Sequence, residues 1–335
     1  MFDRDDHDAN GQDTNGREED GIDRRGFLQC MAWAGAGMLW TVSGGVLSST
    51  GFAQTARDVA TPRADLSFVQ ISDSHIGFGK DANKDVVGTL KAALDQIRAL
   101  PNPPAFLIHT GDISHLSKPE EFDTVDQMLK DSKFDQVFTV PGEHDVLEGS
   151  GKPYLNRYGK GTLGQGWYSF TKKGVHFIGL VNVVDTSANG LGALGKEQLE
   201  WLEKDVRHLS GSTPIVVFAH IPLWSVYPEW GWGTDDGAQA LSYLKRFGSV
   251  TVLNGHIHQT MQKVEGNVTF HTARSTAFPQ PQPGKAAGPG PMKVPAEALR
   301  SYLGVTSVNY LQHTHSLAIV DSTLASAKAA SDDAE

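Results

Sequence analysis

Five segments of the chain carry aspartate, glutamate or histidine directly after an apolar run typical of a buried strand. They are Asp73-Ser74-His75, Gly111-Asp112, Gly142-Glu143-His144-Asp145, His220 and Gly255-His256-Ile257-His258. In parallel α/β sheets ligands bind at the carboxyl ends of the strands, so we expect the five segments to converge on one crevice. The alternative, solvated polar groups in loops, is the weaker interpretation because all five clusters follow strands.

Oxygen and imidazole ligands without sulfur suit Mn, Fe, Zn or Co. The set is large enough for two divalent or mixed-valence ions that share one carboxylate. Two such ions about 3.5–4 Å apart can clamp a phosphate and activate a water for in-line attack. Glycines before Asp112, Glu143 and His256 predict tight turns where the backbone approaches the ions.

The elements that must position these residues alternate between strands and helices, which predicts a mainly parallel sheet. The predicted strands span residues 66–72, 105–109, 136–140, 214–219 and 250–253. The predicted helices span residues 85–100, 120–130, 196–209 and 238–247. Hairpins are predicted at 167–181 and 261–272, a Gly-rich loop at 149–166, an irregular Pro/Gly-rich loop at 278–295, and a final strand pair at 307–311 and 316–320.

The chain has 335 residues and a formal net charge of −10, which argues against a general nucleic-acid binder. The single cysteine excludes a disulfide scaffold and a Cys-based zinc site. The 13 histidines are more than a typical soluble domain carries, and histidine is the commonest metal ligand.

The first 53 residues read as an export signal. Arg24 and Arg25 precede a weakly apolar stretch at residues 30–52, and small residues allow a cut after Ala53. The Arg-Arg-x-Phe-Leu core is similar to a twin-arginine signal, which predicts the twin-arginine export machinery as a partner and a periplasmic or extracellular location. The alternative is a retained membrane anchor. Residues 54–65 read as a linker, 66–321 as the folded domain and 322–335 as a disordered tail.

The clusters together resemble the calcineurin-like metallophosphoesterases, over residues 66–273. The pattern of that family is Asp-x-His, Gly-Asp, Gly-Asn-His-Asp/Glu, His and Gly-His-x-His, and the spacings most resemble the bacterial class III cyclic-nucleotide phosphodiesterases. The resemblance implies an α/β fold, a four-layer αββα sandwich of two mixed sheets.

The resemblance also implies roles for the site residues. Asp73, His75 and His258 would hold the first metal, Asp112 would bridge, and His220, His256 and Glu143 would hold the second. His144 would be the acid that protonates the leaving oxygen or stabilises the transition state, and Asp145 would orient His144.

Glu143 departs from the family pattern, which has Asn at this position. An ionised Glu offers only acceptors and adds a negative charge, whereas Asn offers the substrate an N–H. We therefore expect an exported dinuclear-metal phosphohydrolase in which a metal-bridging hydroxide attacks phosphorus, a phosphodiesterase in preference to a monoesterase. Its substrate would be a small phosphoester, with a nucleotide as one candidate. The alternative is a metal-binding relative with weak or altered activity, and a third is a purely structural exported module with an empty metal site. For Glu143 itself, the simpler interpretation is that its side chain turns away or that the backbone shifts to fit it.

Several further residues have two interpretations each. The aromatic segment 224–232 either stacks a base or aryl group beside the site or packs against residues 278–295. His109 and His176 are expected to be structural, His115 to lie next to the metal ligands, and His313 and His315 to be ordinary strand positions.

Overall fold

The structure, a computed structural model, describes residues 38–43, 46–51, 64–186, 190–311 and 316–325. The chain divides into two units, residues 1–62 and 63–335. In the first unit, β1 (Met38–Ser43) pairs antiparallel with β2 (Val46–Gly51). Arg24, Arg25 and Ala53 of the predicted signal lie outside the described residues, as do His313 and His315. No described helix is both long enough and apolar enough to span a membrane.

One sheet of the second unit has five strands. Its strands are β3 (Leu66–Ile71), β4 (Leu107–His109), β5 (Val137–Thr139), β14 (Gly304–Leu311) and β15 (Ser316–Thr323), in the order β15-β14-β3-β4-β5. The pairs β3–β4 and β4–β5 are parallel, whereas β14 pairs antiparallel with both β3 and β15. The final strand pair is confirmed, and β15 extends three residues beyond its predicted end.

The other sheet has six strands. They are β6 (Tyr168–Lys172), β7 (Val175–Gly179), β10 (Ile215–Phe218), β11 (Val250–Asn254), β12 (Gln262–Glu265) and β13 (Val268–Thr272), in the order β12-β13-β11-β10-β7-β6. The central pairs are parallel, and the two predicted hairpins form its antiparallel edges. A further two-stranded ladder joins β8 (Asp185–Thr186) to β9 (Gly192–Ala193).

Helices cover the outer face of each sheet. They are α1 (Val86–Arg98), α2 (Pro119–Asp131), α3 (Lys152–Tyr158), α4 (Gly195–Val206), α5 (Gly237–Leu244) and α6 (Leu299–Tyr302). Helix α1 begins where the Asp85 carboxylate accepts the Gly88 N–H, and its apolar face is buried as the 3.6-residue spacing predicts. Helix α3 occupies part of the predicted Gly-rich loop and is anchored by Tyr154, whose hydroxyl contacts that of Thr139 at 2.7 Å.

Three apolar clusters separate four layers. Phe68, Phe177, Phe218 and Val308 lie in the cluster between the two sheets, where both sheets contribute inward-facing side chains. The other two clusters join α1 and α2 to the five-stranded sheet and α4 and α5 to the six-stranded sheet. The observed fold is therefore the expected four-layer αββα sandwich of two mixed sheets.

Candidate metal centre

All five clusters lie in loops at the carboxyl ends of strands, as expected. They follow β3, β4 and β5 in one sheet and β10 and β11 in the other. Five of their residues have positive φ angles that are uncommon outside glycine: Asp73 (53°), His75 (42°), Asp112 (52°), His256 (70°) and His258 (53°). Such backbone strain is typical of residues held in place for a functional site.

Glycine is required in three of these loops because of space, and at Gly111 a Cβ would lie 2.6 Å from the backbone nitrogen of Gly142. A Cβ at Gly142 would lie much closer than 3.0 Å to Asp112 Oδ1, which is too short for a real contact. A Cβ at Gly255 would overlap Ser72 Oγ and Asp73 Oδ2. The glycines before Glu143 and His256 therefore allow the backbone of their loops to pack directly against the carboxylates of Asp112 and Asp73.

The first ligand set consists of Asp73, His75 and His258, all buried. His258 Nε2 lies 3.2 Å from Asp73 Oδ1 and 3.3 Å from His75 Nε2. His258 Nδ1 contacts the carbonyl oxygen of Phe278 at 2.6 Å, so Nδ1 carries the proton and Nε2 keeps its lone pair. Two ring nitrogens and a carboxylate oxygen therefore converge.

The second ligand set consists of Glu143, His220 and His256. Glu143 Oε2 lies 2.9 Å from His220 Nε2, and Glu143 Oε1 lies 2.9 Å from His256 Nδ1. His220 Nδ1 donates to the carbonyl oxygen of Thr110 at 2.7 Å, which leaves a lone pair on Nε2.

Three buried atoms of the second set have these close contacts but no hydrogen bond of acceptable geometry: Glu143 Oε2, His220 Nε2 and His256 Nδ1. Buried polar atoms without a well-formed hydrogen bond are costly, and a cation coordinated by all three would satisfy them. The residues present therefore fit a metal ion, and their nitrogen and oxygen donors are those of Mn, Fe or Zn.

Asp112 lies between the two sets. Its Oδ2 is 3.3 Å from His75 Nε2 and 3.5 Å from His220 Nε2, and its Oδ1 accepts the backbone N–H of His144 at 2.9 Å. One carboxylate oxygen thus faces a ligand of each set, the placement that a bridging ligand needs.

Asp145 does not make the contact with His144 that the resemblance led us to expect. The His144 ring instead donates through Nδ1 to the carbonyl oxygen of His115 at 2.7 Å. Asp145 is fully buried and accepts the backbone N–H groups of Ile113, Ser114 and Gly142 and the Ser114 hydroxyl. Its position therefore joins two loops of the site.

The buried charges shift the pKa values of the site. Burial raises the pKa of Asp145 to about 6, with the Asp112 charge as a second cause. Burial lowers the pKa of His75 to about 3, although Asp112 opposes the shift. Burial alone would raise the pKa of Glu143, but His256 and His220 outweigh it and hold that pKa well below its usual value.

Two histidines outside the ligand sets are structural, as expected. His109 accepts the Gly111 N–H at Nδ1 and contacts the Ser74 hydroxyl at Nε2. His176 bonds Asp205 and the Thr171 hydroxyl. The backbone carbonyl groups of Thr110 and Phe278 orient the rings of His220 and His258. They could not be predicted from the sequence, because every residue type has a carbonyl group.

The aromatic segment 224–232 packs within the protein, with other partners than expected. Trp232 is fully buried and meets Trp230 edge-on at 5.1 Å, while Trp224 contacts Phe270 of β13 at 4.9 Å. The structure therefore favours packing of this segment over stacking of a ligand. Trp224 packs against β13, whereas the expected partner was residues 278–295.

Comparison with known proteins agrees with this geometry. A family model described as calcineurin-like phosphoesterase matches residues 66–260. A 3′,5′-cyclic-nucleotide phosphodiesterase of Nostoc sp. is 25% identical over 219 residues, which cover 64% of this chain and 79% of the relative.

Two solved structures share the fold. A dimetal phosphatase from Danio rerio aligns with a TM-score of 0.60 at 15% identity, covering 78% of this chain and 99% of that protein. Purple acid phosphatase PPD1 from yellow lupin seeds aligns with a TM-score of 0.54 at 13% identity, covering 78% of this chain and 52% of the lupin protein.

Proposed function

Because the chain belongs to the calcineurin-like phosphoesterase family, we propose that it is an exported dinuclear-metal hydrolase that cleaves small phosphodiesters. The observation that carries this proposal is the convergence of two ligand sets on Asp112, whose Oδ2 faces a histidine of each set. The Nostoc relative, named as a cyclic-nucleotide phosphodiesterase, favours a diester and makes a nucleotide a reasonable candidate substrate.

The first ligand set would hold one ion, the second ligand set the other, and Asp112 would contact both. When bound, the two ions would supply Lewis-acid activation of the attacking water and neutralise charge on the phosphoryl oxygens. The carbonyl groups of Thr110 and Phe278 hold the rings of His220 and His258 with Nε2 directed inward.

His144 would protonate the leaving oxygen. Its Nδ1–H is engaged by the His115 carbonyl, so Nε2 is the atom that can hold a proton for the leaving group. Burial alone would lower the pKa of His144, but the carboxylates of Asp112 and Glu143 outweigh it and raise that pKa, which favours the proton-bearing form.

Glu143 motivates a second candidate, a metal-binding relative with weak or altered hydrolysis. Each of its oxygens lies 2.9 Å from a different histidine of the second ligand set. With Asp73 and Asp112 it makes a third carboxylate, which would oppose an anionic substrate, and it lacks the N–H that the family Asn directs at phosphate.

Hydrolysis of bis(p-nitrophenyl) phosphate by the Mn-loaded full chain distinguishes the two candidates, with Glu143→Asn assayed alongside. If Glu143 is a working ligand, the unchanged protein turns over and Glu143→Asn is equal or slower. If Glu143 withdraws the site from diester chemistry, Glu143→Asn gains about 100-fold or more, the value of one transition-state donor. Asp112→Asn should abolish turnover in either background. Silence of every variant after metal loading would contradict the hydrolase proposal.

Export is tested separately by fusing residues 1–53 to a reporter that is active only when it folds before export. Arg24→Lys with Arg25→Lys keeps the charge but removes the arginine pair, so periplasmic reporter should be lost. Unchanged export by the double variant would contradict the twin-arginine route.

A further inference from the structure

His115 lies beside His75 of the first ligand set without belonging to that set. It follows β4 in the loop that leads to α2, and its backbone N–H faces the carbonyl oxygen of Ile76 at 2.9 Å and Glu121 Oε2 at 3.2 Å. Glu121 is buried and also accepts the Leu116 N–H at 2.7 Å. The backbone that carries His115 is therefore held from two sides.

The side chain of His115 makes three ring contacts. Its Nδ1 lies 3.4 Å from His75 Nδ1. Its ring stacks on that of His144, with centroids 4.8 Å apart and an angle of 17° between the planes. Phe78 meets the same ring edge-on at 5.2 Å. These contacts hold the ring in one orientation, with Nδ1 directed at His75.

The direction of the His75–His115 hydrogen bond follows from the role of His75. If His75 Nε2 binds a cation, the proton of its neutral ring is on Nδ1. His115 Nδ1 must then be the acceptor, and the His115 proton is on Nε2. His258 and His220 direct the corresponding N–H at the carbonyl groups of Phe278 and Thr110. In His75 an imidazole nitrogen takes the place of the carbonyl.

We propose that His115 is a positioning residue whose Nδ1 accepts the His75 Nδ1–H and so holds His75 Nε2 towards the metal of the first ligand set. The inference rests on the proposed metal centre. It differs from a packing role for His115, because packing needs only the flat ring, whereas positioning needs the acceptor nitrogen.

Two substitutions of His115 distinguish the packing of its ring from the hydrogen bond accepted by its Nδ1. His115→Phe keeps a flat ring for the contacts with His144 and Phe78 but removes the acceptor. His115→Asn removes the ring but offers Oδ1 near the position of Nδ1. His208→Phe, at an exposed position in the turn that follows α4, is the matched control for loss of a histidine.

Calorimetric titration of the metal-stripped full chain with Mn²⁺ provides the readout. His115→Phe should weaken one of two binding events about 10- to 100-fold and leave the other unchanged. His115→Asn should recover most of that loss, and His208→Phe should match the unchanged protein. Wild-type affinity in His115→Phe, or an Asn variant no tighter than Phe, would overturn the positioning role alone. Absence of Mn²⁺ binding by the unchanged chain would overturn the metal centre and this proposal with it.

A second measurement needs no variant and so does not depend on whether one folds. In the Zn-loaded unchanged protein, long-range ¹H–¹⁵N correlation should show His115 Nδ1 unprotonated and His75 Nδ1 protonated. The opposite arrangement of protons would overturn the proposal.

Discussion

At the scale of single residues, the Asp145 carboxylate joins two loops of the site, a structural role that its place in the motif does not predict. Its two oxygens accept four donors from two loops, three of them backbone N–H groups. These loops carry Asp112 and Glu143, so the carboxylate fixes the spacing between a bridging candidate and a member of the second ligand set.

Asp145→Asn should destabilise the protein by about 2–4 kcal/mol. Whichever way the amide is placed, its NH₂ group faces two donors that then lack an acceptor, each at about 1–2 kcal/mol. Urea unfolding in the presence of a chelator measures this free energy without any contribution from metal. Asp95→Asn, at an exposed position on α1, is the control and should change stability little. Equal stability of the Asp145 and Asp95 variants would contradict the role of Asp145 in joining the two loops.

At the scale of elements, a part-buried histidine–aspartate contact joins the two sheets. His271 on β13 lies 2.9 Å from Asp321 Oδ2 on β15, and the Thr306 hydroxyl of β14 donates to Asp321 Oδ1 at 2.7 Å. Burial alone would raise the pKa of Asp321, but His271 and Thr306 outweigh it and lower that pKa.

This pair predicts a specific pH dependence. A lowered pKa in the folded state stabilises the fold above the unfolded value of about 3.9, and the contribution is lost as the pH falls through the folded value. Asp321→Asn should therefore cost about 1–3 kcal/mol at pH 7 and flatten the decline in stability below pH about 4. Unfolding free energies of both proteins across pH 2 to 7 provide the test, and parallel curves would count against it.

At the scale of the whole second unit, each ligand set combines residues from both sheets. Asp73 and His75 follow a strand of the five-stranded sheet, whereas His258 follows a strand of the six-stranded sheet. Glu143 likewise belongs with the first sheet, and His220 and His256 with the second. Metal bound at either set would thus cross-link the two halves of the sandwich.

Metal removal should therefore lower the melting temperature. An ion present at 100 times its Kd stabilises the folded state by about 2.7 kcal/mol, which corresponds to about 5–10 °C for a domain of this size. Thermal unfolding with Mn²⁺ and with a chelator measures the difference. His220→Ala, which lacks a ligand of the second set, should show a smaller shift. Identical curves for the unchanged protein in both conditions would exclude a metal that couples the sheets.

The sequence by itself determined the order of strands and helices and the residues that meet at the site. Apolar runs and the 3.6-residue period are local signals, and the carboxyl ends of parallel strands must share an edge. Hence the sequence alone predicts that Asp73, Asp112 and His220 lie together. Helix α3 was missed because glycines flank its seven residues, and Tyr154 anchors it through a contact that is distant in sequence.

Only the tertiary structure decided which donor faces which acceptor. Asp145 is adjacent to His144 in sequence, yet its oxygens turn to Ile113 and Ser114, because burial demands partners for their N–H groups. His115 faces His75 across forty positions of sequence. Hydrogen bonding depends on tenths of an ångström between loops that are brought together by two sheets, and no local pattern carries that information.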